Sequence, residues 1–266
     1  MDREAAPRAQ LTIKRVDVLG VGISAITPGD ALDEIARWIR DDEQHYVCVT
    51  GMHGVMESQR DPELIRIHNA SGLTTPDGMP MVWAARYAGE SHVERVYGPD
   101  LMLAVCERAA REGWDCYLYG ATDEVLDALK ANLNDRFPAL KIVGAYSPPF
   151  RPMTPEEDAA AVQAINESGA RIVWVGLSTP KQERWMDAHV GKLDAPVLVG
   201  VGAAFDMHAG NLKQAPRWMQ RSGLEWFFRL VSEPRRLWRR YVINIPKFLF
   251  AIARRRPRLI DAGDTP

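Results

Sequence analysis

The chain has 266 residues, 46% of them apolar and 26% charged, which is the make-up of an ordinary globular protein with enough material for a sizeable core. Its net charge of −2 hides a division: residues 1–212 hold 20 Lys/Arg against 31 Asp/Glu, and residues 213–258 hold 13 against 2. The basic end implies an anionic partner, whether a phosphate-bearing ligand, a membrane surface or nucleic acid.

After a tail over residues 1–10, "LTIKRVDVLGVGISAIT" reads as one or two β segments with Gly20 and Gly22 at a turn or bulge. Thr27-Pro28 opens a helix with Pro at its first position and Leu32, Ile35, Ala36 and Ile39 at helical spacing. "YVCVT" (46–50) is a strand, followed by a helical region through "DPELIRIHNA". "GLTT" (72–75) is a short strand leading to the helix "MPMVWAARYAG", and "GPDLMLAVCERAAREG" (98–113) is a further helix. Next come strand "DCYLYG", helix "ATDEVLDALKANLNDRF", strand "LKIVG" and helix "TPEEDAAAVQAINESG", the last with acids in its first turn. Strand "RIVWVG", helix "TPKQERWMDAHV" and strand "PVLVGVG" complete the alternation.

Short apolar strands alternating with helices of this length predict βαβ units and a Rossmann-like α/β fold, a mostly parallel sheet with helices on both faces. Residues 11–212 form this α/β domain, 213–256 a basic helical appendage without a further strand, and 257–266 a second tail. The first ten residues lack the apolar core of a signal peptide, and no run reaches the ~18 apolar residues of a membrane-spanning helix. Cys48, Cys106 and Cys116 show no C-x-x-C spacing and sit in apolar settings, which reads as buried, reduced thiols of a cytoplasmic protein.

Ligands of open α/β sheets bind at the carboxyl ends of the strands. Five predicted strands end in Gly plus polar groups: Thr50-Gly51-Met52-His53, Pro76-Asp77-Gly78, Gly120-Ala121-Thr122, Gly176-Leu177-Ser178, and Gly202 with Asp206 beyond. Glycine-ended strands feeding helix N-termini suit a phosphate. There is no GxxxxGK[ST], and "GVGAAF" is half of a GxGxxG. There is also no HExxH, no GxSxG and no D-x-D pair, so neither a cofactor nor a metal-dependent mechanism has sequence support. Asp77 has two readings. It can cap the helix that begins near Pro80, or act as a general base whose pKa is raised by burial beside Met79, Met81 and Trp83. Arg95 and Asp100 read either as a solvated pair at a helix start or as part of the same pocket.

In "GLEWFFRLVSEPRRLWRRYVINIPKFLFAIARRR", Arg229, Arg235, Arg236, Arg239 and Arg240 fall on neighbouring turns among Trp226, Phe227, Phe228, Trp238 and Tyr241. That describes an interfacial membrane element, with a packed helix pair as the bland alternative. Nucleic acid is disfavoured, because the body is acidic and no recognition motif is present.

Four blocks in order, "TPDGMPMVWAARYAG…ERVYGPDLM", "VGLSTPKQERWM", "GVGAAFDMHAGNLKQAPRWMQRSGLEWFFRL" and "EPRRLWRRY", resemble the WecG/TagA/CpsF glycosyltransferases, glycosyltransferase family 26. The resemblance covers roughly residues 15–250. It implies an inverting, metal-independent transferase that moves a hexose-type sugar from a UDP-sugar to a polyprenyl-diphosphate-linked sugar. The reaction would take place at the inner face of the cytoplasmic membrane, in bacterial surface or exopolysaccharide biosynthesis. It also admits a homo-oligomer. By motif, Asp77 would be the catalytic base, and Thr50 and Arg95 pocket residues. Gln182 and Asp206 would contact the UDP-sugar. Arg229, Arg236 and Arg239 would fold over the site toward the diphosphate and hold the enzyme at the membrane. Met52 stands where the family pattern T-x-N places Asn, and "TGMHGVMESQ" is more similar to the exopolysaccharide branch than to the N-acetylmannosamine branch. A non-catalytic nucleotide-sugar-binding module is the rival reading, and a dinucleotide-dependent redox enzyme a distant third.

Overall fold

The computed structural model describes residues 13–260, with the side chains of Arg236 and Arg240 outside that description. Both predicted tails therefore lie wholly or largely outside the described residues. Strands β1 (Arg15–Val18) and β2 (Val21–Ser24) form a hairpin turning at Leu19 and Gly20, both at positive φ. Helix α1 (Pro28–Asp41) begins at a capping box, in which Thr27 Oγ1 accepts the Asp30 amide and the Asp30 carboxylate accepts the Thr27 amide. Then follow β3 (His45–Thr50), α2 (Met52–Ser58), α3 (Pro62–Ala70), β4 (Leu73–Pro76), α4 (Met79–Tyr87) and α5 (Gly98–Glu112). The next elements are β5 (Asp115–Gly120), α6 (Asp123–Arg136), β6 (Lys141–Tyr146), α7 (Pro155–Glu167), β7 (Ile172–Gly176) and α8 (Lys181–His189). Strand β8 (Val197–Gly200) and the short helices α9 (Ala204–His208) and α10 (Arg217–Arg221) lead to α11 (Glu225–Ser232), α12 (Pro234–Arg254) and β9 (Arg258–Ile260).

Six strands form one sheet in the order β4-β3-β8-β7-β5-β6, and each pairing is parallel. The continuous apolar runs of β7 and β8 are explained by their central place, since helices cover both faces. Alternate residues divide between two cores. Trp174, Val197 and Val199 join Ile35, Trp38, Met102 and Phe205 on one face. Val173, Val175 and Leu198 join Tyr46, Cys48 and Met186 on the other. All three cysteines are buried free thiols.

A second, antiparallel sheet has the order β2-β1-β9. Residues 258–260, expected as tail, instead form a strand with Arg15↔Ile260 and Val16↔Leu259 in register. Three residues are too few for a period-2 pattern, and their pairing partner lies at the opposite end of the chain. This sheet covers a third core in which Val16, Val18, Ile23 and Met81 meet Phe248 of α12. Helix α12 presents Leu237, Tyr241, Asn244 and Phe248 inward at helical spacing, so the basic segment is packed onto the body along one stripe. No helix among the described residues is long and apolar enough to cross a membrane.

Candidate functional site

The carboxyl ends of β3, β4, β7 and β8 open into one cleft. Gly51, Met52 and His53 line it after β3, and Asp77 and Gly78 after β4. Ser178, Thr179 and Gln182 line it after β7, and Val201 to Ala204 after β8. Arg95, Tyr97 and the start of α5 form a side wall, and Glu225, Trp226, Arg229 and Tyr241 lean in from the C-terminal segment. The fifth strand end of the sequence reading does not join them. Ala121 packs on the core and Thr122 Oγ1 accepts the Val125 amide to cap α6, because β5 lies beyond β7 in the sheet.

Asp77 is the first residue past β4. Its amide donates to the Thr75 and Thr50 carbonyls at 2.9 and 3.1 Å, which ties it to the end of β3. Two glycines make this possible. Gly78 lies at φ +96°, a region open to glycine, and turns the chain directly into α4. At Gly51 a Cβ would stand 2.7 Å from the Asp77 carbonyl oxygen, so only glycine lets the two strand ends approach this closely. The N-cap of α4 is Gly78, with no side-chain hydrogen bond, so Asp77 does not serve as its cap. Of the expected apolar neighbours only Met79 lines the cleft; Met81 enters the hairpin core and Trp83 packs near Gly223.

The electrostatics centre on Arg95. Its Nη2 donates to Glu225 Oε2 at 2.5 Å and to Asp77 Oδ1 at 3.4 Å, and its guanidinium lies 4.0 Å from the Tyr97 ring centroid. Asp100, the partner the sequence offered, pairs with Arg217 instead, because α10 brings that guanidinium to the start of α5. Desolvation in the cleft pushes the Asp77 pKa up, Arg95 and Arg229 pull it down, Glu225 pushes it up further, and the outcome is above the ordinary carboxylate value. Burial works against the charge on Arg95, but Asp77 and Glu225 outweigh it and the guanidinium is held more firmly protonated than usual.

Opposite this cluster, Gln182 is buried at the start of α8. Its Nε2 donates to Glu183 Oε1 at 3.2 Å, while its Oε1 has no hydrogen-bond partner. Glu183, itself buried, also accepts from Thr179 Oγ1 at 2.8 Å, and desolvation raises its pKa. Gln182 lines the cleft, with that oxygen itself buried beside the Gly202 turn.

Asp77, Arg95, Gln182 and Arg229 thus share one cleft. Thr50 stands behind its wall, buried, with Oγ1 donating to the Cys48 carbonyl at 3.3 Å. Asp206 is on α9, whose Ala204 and Met207 line the cleft while its own side chain does not. Arg239 is exposed on α12 with its guanidinium 5.3 Å from the Trp238 ring, and the Arg236 side chain lies outside the described residues. Sequence reasoning missed Glu225, Tyr97 and Glu183. For Glu225 a signal existed, since it is one of only two acids among 13 basic residues in 213–258.

The arrangement offers a raised-pKa carboxylate and two cations lining one space, which suits proton abstraction beside a departing anion. Among the described residues, no group of three or more His, Cys, Asp or Glu side chains comes together that could hold a metal ion. The family model for the glycosyl transferase WecG/TagA/CpsF family matches residues 16–261, which takes in both sheets, the cleft and the basic helices. The chain belongs to the WecG/TagA/CpsF family of glycosyltransferases.

Proposed function

We propose that the protein is an inverting, metal-independent glycosyltransferase. It moves a hexose-type sugar from a UDP-sugar to a sugar carried on a polyprenyl diphosphate, in bacterial surface or exopolysaccharide biosynthesis. The observation that carries this reading is the Asp77 carboxylate at the strand-end rim, with the Arg95 guanidinium beside it and Arg229 lining the same cleft. Asp77 takes the proton of the acceptor hydroxyl, and that oxygen bonds to the anomeric carbon from the face opposite UDP. The bond from the anomeric carbon to the diphosphate oxygen breaks, and UDP leaves with the electron pair. Arg229 and Arg95 meet the charge that develops on the diphosphate. Gln182, which lines the same cleft, contacts the donor.

The enzyme works at the inner face of the membrane without spanning it. Phe227, Val231, Trp238, Val242, Leu249 and Phe250 are exposed on α11 and α12 among Arg235, Arg239, Lys247 and Arg254. Exposed aromatics among basic side chains suit an interfacial helix, and each basic residue gains about 1 kcal/mol from anionic lipid. Arg239, beside Trp238, is assigned to that surface. A screen of UDP-sugars against polyprenyl-diphosphate-linked glucose and N-acetylglucosamine, read as UDP release and product mass, tests the reaction. A sugar-extended lipid product is expected. UDP binding with no product for any pair would leave a nucleotide-sugar-binding module.

A further inference from the structure

We propose that Glu225 is a positioning residue. By docking on Arg95 it closes the C-terminal segment over the cleft and keeps Arg95 from neutralising the Asp77 carboxylate, so a competent base exists only in the closed arrangement. This rests on the role proposed above for Asp77.

The three side chains come from three parts of the chain. Asp77 follows β4, Arg95 precedes α5, and Glu225 is the first residue of α11. The Arg95 and Glu225 side chains are 14% and 15% exposed, so their pairing is poorly screened by solvent. One nitrogen, Arg95 Nη2, serves both carboxylates at 2.5 Å to Glu225 and 3.4 Å to Asp77. The short contact goes to Glu225, and Asp77 keeps a long, weak one. The guanidinium still has a donor in reserve, because Arg95 Nε is buried with no hydrogen-bond partner. Withdrawing Glu225 frees Nη2 and lets the planar fork turn onto Asp77, where a carboxylate–guanidinium pair would hold the proton acceptor ionised and weak.

Glu225 also acts directly, since two oxygens bonded to one nitrogen are no more than about 6 Å apart. The groups facing Asp77 are Arg95 and Tyr97 from the segment before α5, Glu225 and Arg229 from α11, His53 from α2 and Tyr241 from α12. Among these Glu225 is the acid whose approach depends on the C-terminal segment being seated. A different reading would make Glu225 a stand-in for a ligand anion on Arg95, and its predictions differ.

Glu225→Gln keeps size and the acceptor for Arg95 but removes the charge. The acidic limb of the kcat/KM–pH profile is expected about 1–2 pH lower, from Coulomb repulsion at an effective dielectric near 20. On the plateau kcat falls about 3–30-fold because Asp77 is a weaker base, while donor KM changes less than about twofold. Carbon-13 carboxyl NMR on aspartate-labelled full-length protein, assigned with Asp77→Asn, reads the same coupling without turnover. Asp77 should titrate about 1–2 pH lower in the variant. Glu225→Asp, with a reach shorter by one methylene, is the second variant and moves the titration in the same direction, which covers the case of Glu225→Gln failing to fold. An Asp77 titration unmoved in a folded variant overturns the proposal. So does tighter donor binding with an unmoved pH limb, which would make Glu225 a ligand mimic. The NMR readout needs no substrate, so its failure is distinguishable from a failure of the glycosyl-transfer reading.

Discussion

Replacing Arg95 by Gln removes a cation that both Asp77 and Glu225 touch. The two carboxylates, held 3.4 and 2.5 Å from the same nitrogen, are then left within about 6 Å of each other. At an effective dielectric near 20, two charges at that separation repel by about 3 kcal/mol, equivalent to roughly two pH units. The pair therefore shares one proton, and the upper of its two apparent pKa values rises by about two on top of the increase that burial already causes. A larger share of the enzyme then carries a proton on the base at any pH along the acidic limb. Turnover, followed as UDP release between pH 5 and 9.5, should fall by up to about a hundredfold on the acidic limb, with that limb displaced upward and recovery toward high pH. The variant should also be less stable by about 2 kcal/mol at neutral pH. That figure is below the 3–5 kcal/mol of a fully buried broken pair because these side chains remain 15–29% exposed. A carboxylate whose folded pKa is raised costs stability as pH climbs from its unfolded value through the folded one. The deficit should therefore shrink as pH falls toward 4, where the unfolded chain is also protonated. An acidic limb that stays in place or moves downward would refute this account of the cluster.

Arg229→Met withdraws the second cation facing Asp77, so the acidic limb should also rise, by less, and the donor KM should increase about tenfold in initial-rate measurements. Gly51→Ala places a methyl 2.7 Å from the Asp77 carbonyl oxygen, and about 1–3 kcal/mol of stability by denaturant titration and at least tenfold in kcat should be lost. Glu183→Gln removes a buried acid whose raised pKa makes the fold lose stability as pH climbs from the ordinary Glu value through the folded one. Melting curves of the variant should be flatter over that window and higher at pH 7 than wild type. Membrane contact is tested by Trp238→Ser with Phe250→Ser, two exposed positions, and vesicle co-sedimentation with anionic lipid should fall severalfold while the fold is retained. Deleting residues 213–266 is a poorer test, since it also removes Phe248 and β9 from a core and a sheet.

The parallel sheet was legible because its determinants are local. Each buried strand is a short apolar run, and Thr27, Thr122 and Thr154 announce their helices through side-chain caps. The rim at Asp77 was legible for the same reason, since Pro-Asp-Gly after a strand is a local signal and the strand-end rule places it. What escaped depends on contacts between distant segments. Strand β9 exists only as a partner of β1, Arg95 meets Glu225 rather than Asp100 only once α11 is seated, and Thr122 leaves the site because of strand order. Glu225 is one of two acids in a basic run, and its meaning comes from Arg95, 130 positions earlier in the chain.

The central claim is that the Asp77 carboxylate removes the acceptor proton. Its most direct test is Asp77→Asn, assayed for transfer to a polyprenyl-diphosphate-linked sugar alongside UDP binding by calorimetry. Turnover should fall about 10²–10⁴-fold with the UDP Kd unchanged within about twofold. A variant that turns over at close to the wild-type rate would contradict the claim.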